Sequence, residues 1–225
     1  MAKIKITTPK GELSWVFIDG EGSLNDLNDK YEYKATLTLE DTSPDCIALK
    51  KKYDDLWDTC AEKKAFDTAF ESAKPAVQAK MEFHKGYSPV LDDDEQETGK
   101  TQFRFKTSTT YAPKAGQEVG KAVKVTVYNA KAKKVELGDT KIGNESIGKI
   151  AGTIASYYKA TNAGVSGYLS SIQLIKLVEY VDNEFEEEEG FTGEPDNEFT
   201  GNEATSDPEP SPELPESTEP TPEGL

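Results

Sequence analysis

The sequence contains few of the residues on which enzyme active sites and metal centres usually depend. Its 225 residues include one histidine, His84, two cysteines and one arginine, Arg104. No His/Cys cluster has the spacing of a zinc site, and no glycine-rich segment matches a phosphate-binding loop. We therefore expect a protein without catalytic residues, without a bound metal and without a cofactor.

Long apolar runs are also missing. No N-terminal stretch has the charged start and apolar run of a signal peptide, and no segment approaches the roughly 20 apolar residues that span a bilayer. Cys46 and Cys60 lie 14 residues apart in one predicted helical region, about 20 Å along a helix that rises ~1.5 Å per residue. A disulfide cannot bridge that distance, so we expect reduced thiols in a soluble, cytoplasmic protein that contacts no membrane.

Basic residues are absent from the last 43 residues of the chain. Residues 183–225 contain 15 acidic residues, seven prolines and no lysine or arginine. Proline, charge repulsion and the scarcity of large apolar residues predict a disordered acidic tail. Of the 42 acidic residues in the chain, 27 remain in residues 1–182 beside all 26 lysines and arginines. A nearly neutral domain, residues 1–182, is therefore joined to a polyanion, residues 183–225.

Residues 1–182 have the patterns of several strands around one helical insertion. Apolar and polar residues alternate in KIKITT, GELSWVFI, YEYKATLTLE, KTQFRFKTSTTY and KAVKVTVY. Two further segments, IGKIAGTIASYYK and GYLSSIQLIKLVEY, bracket a predicted loop, ATNAGVS. Between about residues 43 and 80 the period is helical, with Ser43 as the predicted cap, Pro44 at the first position and Pro75 as an interruption. A mainly β fold with a small barrel is expected, although alternation alone leaves a sandwich open.

One acidic loop invites a metal hypothesis. Asp92, Asp93, Asp94, Glu95 and Glu97 are close together, and hard cations take several carboxylates. The loop lacks the spacing and the fixed glycine of an EF-hand, and a run of charge is usually a solvated hairpin tip. A metal-dependent nuclease that uses this loop is therefore a third-ranked hypothesis, and no metal site is predicted.

The outward faces of the predicted strands carry lysine, threonine and tyrosine, and acidic residues are nearly absent from them. Phe103 and Phe105 lie on one face of their strand, with Arg104 and Lys106 on the other. The other outward lysines and tyrosines are Lys3, Lys5, Lys34, Lys124, Tyr128, Lys149, Tyr157 and Lys159. Lysines neutralise phosphates and aromatic rings stack on unpaired bases, so this pattern is typical of a surface that binds single-stranded nucleic acid. The alternative is that the lysines only keep the strand faces soluble.

At KTQFRFKTSTTY and IASYYKATNAGVSGYLSSIQLIKLVEY the chain resembles the phage single-stranded DNA-binding proteins of the gene 2.5 type. The start MAKIKI and the acidic tail are similar as well. The resemblance implies an OB-fold, a five-stranded Greek-key barrel with extra strands and a helical insertion. It implies binding by Tyr158, Lys159 and the run Phe103 to Lys106. The chain departs from the family at Ala160, where the family has tryptophan, and at Leu225, where family tails end in an aromatic residue.

The resemblance also implies a role: such proteins coat single strands during phage DNA replication and recombination in the cytoplasm of the host cell. Their tails contact replication partners such as the polymerase and the helicase/primase. The leading hypothesis is thus a non-catalytic, sequence-independent single-stranded DNA-binding protein. The alternative is an acidic-tailed interaction adaptor, and formation of a homo-oligomer stays open. The candidate DNA-binding residues are Lys3, Lys5, Lys34, Phe103, Arg104, Phe105, Lys106, Tyr111, Lys124, Tyr128, Lys149, Tyr157, Tyr158 and Lys159.

Overall fold

The computed structural model describes residues 1–25, 29–111 and 120–180, and the predicted acidic tail lies outside them. Within these residues the chain forms eleven strands and three helices. The strands are β1 Lys3–Thr7, β2 Gly11–Phe17, β3 Ser23–Asn25, β4 Lys30–Glu40, β5 Glu82–His84, β6 Tyr87–Leu91, β7 Glu97–Ser108, β8 Thr126–Tyr128, β9 Lys134–Val135, β10 Ser146–Lys159 and β11 Asn162–Lys176. The helices are α1 Pro44–Thr59, α2 Ala61–Ser72 and α3 Pro75–Gln78.

Five of the strands close into a barrel. The ring runs β10, β2, β4, β7, β11 and back to β10, because β10 and β11 also pair with each other. All pairs in the ring are antiparallel except β7 with β11. The remaining strands extend this sheet: β1 pairs with β10, β3 with β4, β6 with β7, and β5 and β8 with β11, while β9 pairs with β8. Closure decides between barrel and sandwich and confirms the predicted barrel with extra strands.

The inward residues of the ring form the core, as their period of two predicts. Every ring strand supplies at least one side chain that is fully or almost fully buried: Leu13, Leu37, Phe103, Phe105, Ile150, Ile154 and Ile172. The prediction that Ile150 and Ile154 face inward is confirmed. The alternation of apolar and polar residues therefore determines which side chains of each strand face the common core.

The helices lie between β4 and β5 in the chain and pack on the barrel. Ser43 caps α1, since its hydroxyl accepts a hydrogen bond from the Cys46 N–H at 3.1 Å, and Pro44 takes the first helical position. Cys60 ends α1 and caps α2, its sulfur accepting from the Lys63 N–H. Both cysteines are free and buried. Pro75 begins α3, after α2 has ended at Ser72. Among the described residues, no helix is long and apolar enough to cross a membrane.

Two predicted boundaries differ from the structure. In KAVKVTVY, only Thr126–Tyr128 forms a regular strand. The predicted loop ATNAGVS is instead a tight turn at Ala160 and Thr161, followed directly by β11. The sequence places Gly164 in the predicted loop, but it lies within β11, where an added Cβ would come 2.0 Å from the His84 carbonyl oxygen. The small residue is there because the backbone of β5 lies against β11.

Candidate nucleic-acid interface

A row of outward side chains crosses six neighbouring strands. Register pairs join Lys5 to Thr153, Thr153 to Tyr168, Tyr168 to Lys106, Lys106 to Lys34, and Lys34 to Phe17. We call these six residues the lysine–aromatic row. Their chain neighbours Ile6, Ala35, Phe105, Ile154 and Leu169 are buried, so the row faces away from the core. The row passes through all five strands of the closed ring as well as β1, so it follows the circumference of the barrel, and strands about 4.8 Å apart make this curved path about 24 Å long over its five steps.

The aromatic members of the row remain accessible. Phe17 and Tyr168 are each 40% exposed. The Lys34 ammonium lies 4.8 Å from the centroid of the Phe17 ring, which is within the range of a cation–π contact. The row thus combines three lysines with two aromatic rings, the two kinds of side chain that bind a phosphate backbone and unstacked bases.

Tyr157 lies on the same outward face of β10 as Thr153, four residues further along, or about 13 Å at the rise of a strand. Burial raises the pKa of its hydroxyl, and the neighbouring Tyr168 hydroxyl adds to the shift. Lys159 is exposed at the end of β10.

Two further predicted residues, Lys3 and Arg104, lie close to the row, and four others do not. Lys3 is exposed on β1 opposite Ala155, and Arg104 is exposed on β7 opposite Thr36. Lys149 pairs with Gln173, which pairs with Tyr128, which in turn pairs with Lys134. This second row lies about 13 Å from the first along β10, because Lys149 and Thr153 are four residue steps apart. Lys124 and Tyr111 are exposed and belong to neither row.

The predictions for Phe103 and Phe105 are wrong. Both side chains are fully buried in the barrel, and the Phe103 ring lies 5.7 Å from the rings of Tyr53 and Tyr87. Adjacent residues of a strand point to opposite faces, so Arg104 and Lys106 can be outward only if the two phenylalanines are inward. Neither ring can stack on a base.

Tyr158 is half-buried beside α2. Its ring packs edge-on against Phe66, with the centroids 5.7 Å apart. Alternation places Tyr158 opposite Tyr157, away from the row, and the contact with α2 is consistent with that. A role for Tyr158 in DNA binding stays a prediction, and it would need a surface different from the row.

Acidic residues are less scarce on the outward face than the sequence pattern predicts. The Glu32 carboxylate lies 3.3 Å from the Lys106 ammonium and also accepts a hydrogen bond from the Asn25 amide. Lys100 lies between Glu12 and Glu40, at 3.7 and 3.8 Å. The alternation of β4 already contains this signal, because Glu32 and Lys34 are two residues apart and must share a face. Part of the positive charge of the row is therefore neutralised.

Trp15 is an exposed aromatic residue that the sequence predictions missed. It lies in β2, where the register with β4 shifts between Ser14 and Phe17, and its side chain is 62% exposed. Trp15 borders a groove of about 960 Å³ whose walls include Val16, Tyr33, Lys124 and Leu137. The available signal was the run Trp-Val-Phe, which interrupts strict alternation in GELSWVFI.

The acidic loop forms the turn between β6 and β7. The Asp92 carboxylate accepts hydrogen bonds from the backbone N–H groups of Asp94 and Gln96, at 3.0 and 2.8 Å. In residues 1–25, 29–111 and 120–180, no three His, Cys, Asp or Glu side chains are grouped as metal ligands would be. Asp92 therefore stabilises its own turn, as expected of a solvated hairpin tip.

A family model described as single-stranded DNA-binding protein of bacteriophage T7 matches residues 15–177 of the chain. No individually curated protein sequence matches it. Among solved structures, the chain is similar to gp2.5, a single-stranded DNA binding protein encoded by bacteriophage T7, at 24% identity and a TM-score of 0.58. That match covers 84% of this chain and 100% of the T7 chain.

A second similar structure is the single-stranded DNA-binding protein from bacteriophage Enc34 in complex with single-stranded DNA. Its identity is 15% and its TM-score is 0.50, with 76% of this chain and 86% of the other chain covered. Both structures share the barrel fold with this chain, at identities that carry the fold but no individual site residue.

Proposed function

This chain belongs to the single-stranded DNA-binding protein family of bacteriophage T7, and we propose that it binds single-stranded DNA along the lysine–aromatic row. The row is the observation that supports this function most directly. It brings Lys5, Lys106 and Lys34 together with Tyr168 and Phe17 across six strands. Lysines in this arrangement release counterions from phosphates, and each ring adds about 1–3 kcal/mol when a base stacks on it.

Binding is independent of base sequence and involves no catalysis. Bidentate readout of guanine usually requires arginine, and this chain has one, Arg104. Lysine is a point charge that contacts phosphates, and every base has a flat face for stacking. Lys3, Arg104, Tyr157 and Lys159 extend the contact area around the row, whereas the second row around Lys149 and Tyr128 could engage only a longer strand.

In this proposal the protein coats single strands during phage DNA replication and recombination, in the cytoplasm of the host cell. Residues 1–182 bind DNA, and the acidic segment 183–225 competes with DNA for the basic surface as a phosphate mimic. A short flexible tether gives such a segment a millimolar effective concentration. When DNA displaces it, the same segment is free to recruit basic surfaces on replication proteins such as a polymerase or helicase/primase.

Titration of a fluorescently labelled oligonucleotide tests the function. Full-length protein is compared with a variant that ends at Asp182, with and without magnesium. Saturable binding without cleavage supports the proposal. If neither protein binds, the chain acts as an interaction adaptor, and magnesium-dependent cleavage would identify a nuclease that uses the Asp92 loop.

The same titration tests the role of the tail. Removal of residues 183–225 should tighten binding to single strands at low salt, and the difference should fade as salt screens the charges. Equal affinity of the two proteins at ~50 mM salt would rule out self-competition and leave recruitment as the role of the tail.

A further inference from the structure

Trp15 exposes a large apolar ring to solvent, and its neighbours among the described residues leave most of it uncovered. The chain has two tryptophans: Trp57 is 8% exposed and packs against Phe66 and Phe83, whereas Trp15 is 62% exposed. An indole buries 150–250 Å² when it is packed, so leaving it exposed forgoes a large stabilisation. The folded domain therefore gains little from tryptophan at position 15.

The backbone at Trp15 is unfavourable for a bulky residue. Its φ is +52°, in the left-handed region, and it occupies a β-bulge, since three residue steps on β2 from Ser14 to Phe17 match two on β4. In bulges of this kind glycine is the usual residue, because it has no Cβ to clash. The Trp15 N–H donates to the Asn144 side-chain oxygen at 3.1 Å, which holds the bulge in place. A strained position with an exposed ring points to a role in binding.

Trp15 lies beside the end of the lysine–aromatic row, displaced along β2. Phe17, the last member of the row, is two residues further along the same strand. Trp15 borders the groove described above, whose lining includes Lys124 and Lys134 but also Asp19, Glu21 and Glu136. Because both signs of charge are present, electrostatic attraction alone cannot hold a polyanion in the groove. A ligand there has to be held mainly by its flat apolar face.

We propose that Trp15 stacks on an unpaired nucleobase of the same DNA strand that crosses the lysine–aromatic row, and that the groove receives this base. The proposal rests on the proposed function and adds a binding residue to it. Stacking releases few counterions, so the contribution of Trp15 is nearly independent of salt, unlike that of the lysines. It is also tolerant of base identity, because every base has a stacking face.

The two tryptophans make this testable by fluorescence. A single-stranded oligonucleotide should quench the emission of the unaltered protein through Trp15, and Trp15→Phe, which retains only Trp57, should lose the quenching. Binding is measured in parallel by anisotropy of the labelled oligonucleotide. Trp15→Ala should weaken it at least about fivefold, which corresponds to about 1 kcal/mol, with no change in the salt slope. Trp15→Phe should bind more tightly than Trp15→Ala, because the phenyl ring can still stack on a base.

The matched control is Phe70→Ala, which removes an exposed aromatic side chain of α2 outside the row and the groove and should leave binding unchanged. If the oligonucleotide binds but does not quench Trp15, or if Trp15→Ala binds like the unaltered protein, the inference is wrong and the proposed function stands. If no variant and no unaltered protein binds the oligonucleotide, the proposed function itself fails. The Trp15→Ala variant should unfold at the same temperature as the unaltered protein or at a higher one. Its weaker binding then reflects the loss of a DNA contact and not a loss of folded protein.

Discussion

The ion pair between Lys106 and Glu32 allows a quantitative test of the lysine–aromatic row. Lys106 is the central lysine of the row, between Tyr168 and Lys34, and its ammonium lies 3.3 Å from the Glu32 carboxylate. Both groups remain in contact with solvent. Lys106→Ala should weaken binding to all sequences. Glu32→Gln should strengthen it, because it releases Lys106 and removes a negative charge from the path of the phosphates.

The expected changes in binding follow from the counterions released at each phosphate contact and from the interaction free energy of an exposed ion pair. Each phosphate contact on a single strand contributes about 0.7 to the slope of log K against log salt. Lys106→Ala should lower the slope by about that amount. The affinity ratio between the unaltered protein and the variant should then shrink about 2.6-fold between about 50 and 200 mM salt. An exposed ion pair is worth about 0.2–1 kcal/mol, so Glu32→Gln should tighten binding by about 1.4- to 5-fold at low salt.

Anisotropy titrations with a labelled oligonucleotide at four or five salt concentrations measure both effects. Lys51→Ala is the matched control, because Lys51 forms a similar exposed pair with Asp55 on α1, outside the row. The control should change neither affinity nor slope. If Lys106→Ala keeps the slope of the unaltered protein, or alters it no more than Lys51→Ala does, phosphates do not contact the row at Lys106 and the proposed path of the strand is refuted.

Three further predictions concern the core, one ion-paired carboxylate and the composition of the row. Phe103→Ala should lower the free energy of unfolding by about 3–5 kcal/mol in denaturant titrations, because it empties a fully buried site; a loss below 1 kcal/mol would contradict its place in the core. The Met1 amino group and then the Ser156 hydroxyl lower the pKa of Glu62 to about 2. This pair should therefore stabilise the fold above about pH 4.3 and lose its effect as the pH falls toward 2, and Glu62→Gln should flatten that part of the stability–pH profile. Homopolymeric single strands should bind within about tenfold of one another, and a preference of several thousandfold for one short motif would exclude stacking and phosphate contact as the basis of binding.

The faces of the strands could be predicted from the sequence because they depend on local alternation. Ile150 and Ile154 face inward as their spacing predicts, and Ser43 caps α1 as its position before Pro44 predicts. The predictions for Phe103 and Phe105 are wrong because the family resemblance implies a contiguous run of binding residues. A run of four residues in a strand cannot present all its side chains to one ligand, so the period of two takes precedence over the resemblance.

The row itself could not be predicted, because it depends on register rather than on faces. If the pairing of β7 with β11 shifted by two residues, each side chain would stay on the same side of the sheet, but Tyr168 would move about 6.6 Å from Lys106. Close backbone contacts set this register. A Cβ on Gly152 would come 2.1 Å from the Tyr168 carbonyl oxygen, and one on Gly167 would come 2.7 Å from the Arg104 carbonyl oxygen. At both crossings only a residue without a side chain lets the backbones approach, so the glycines of β10 and β11 determine which lysine stands beside which ring.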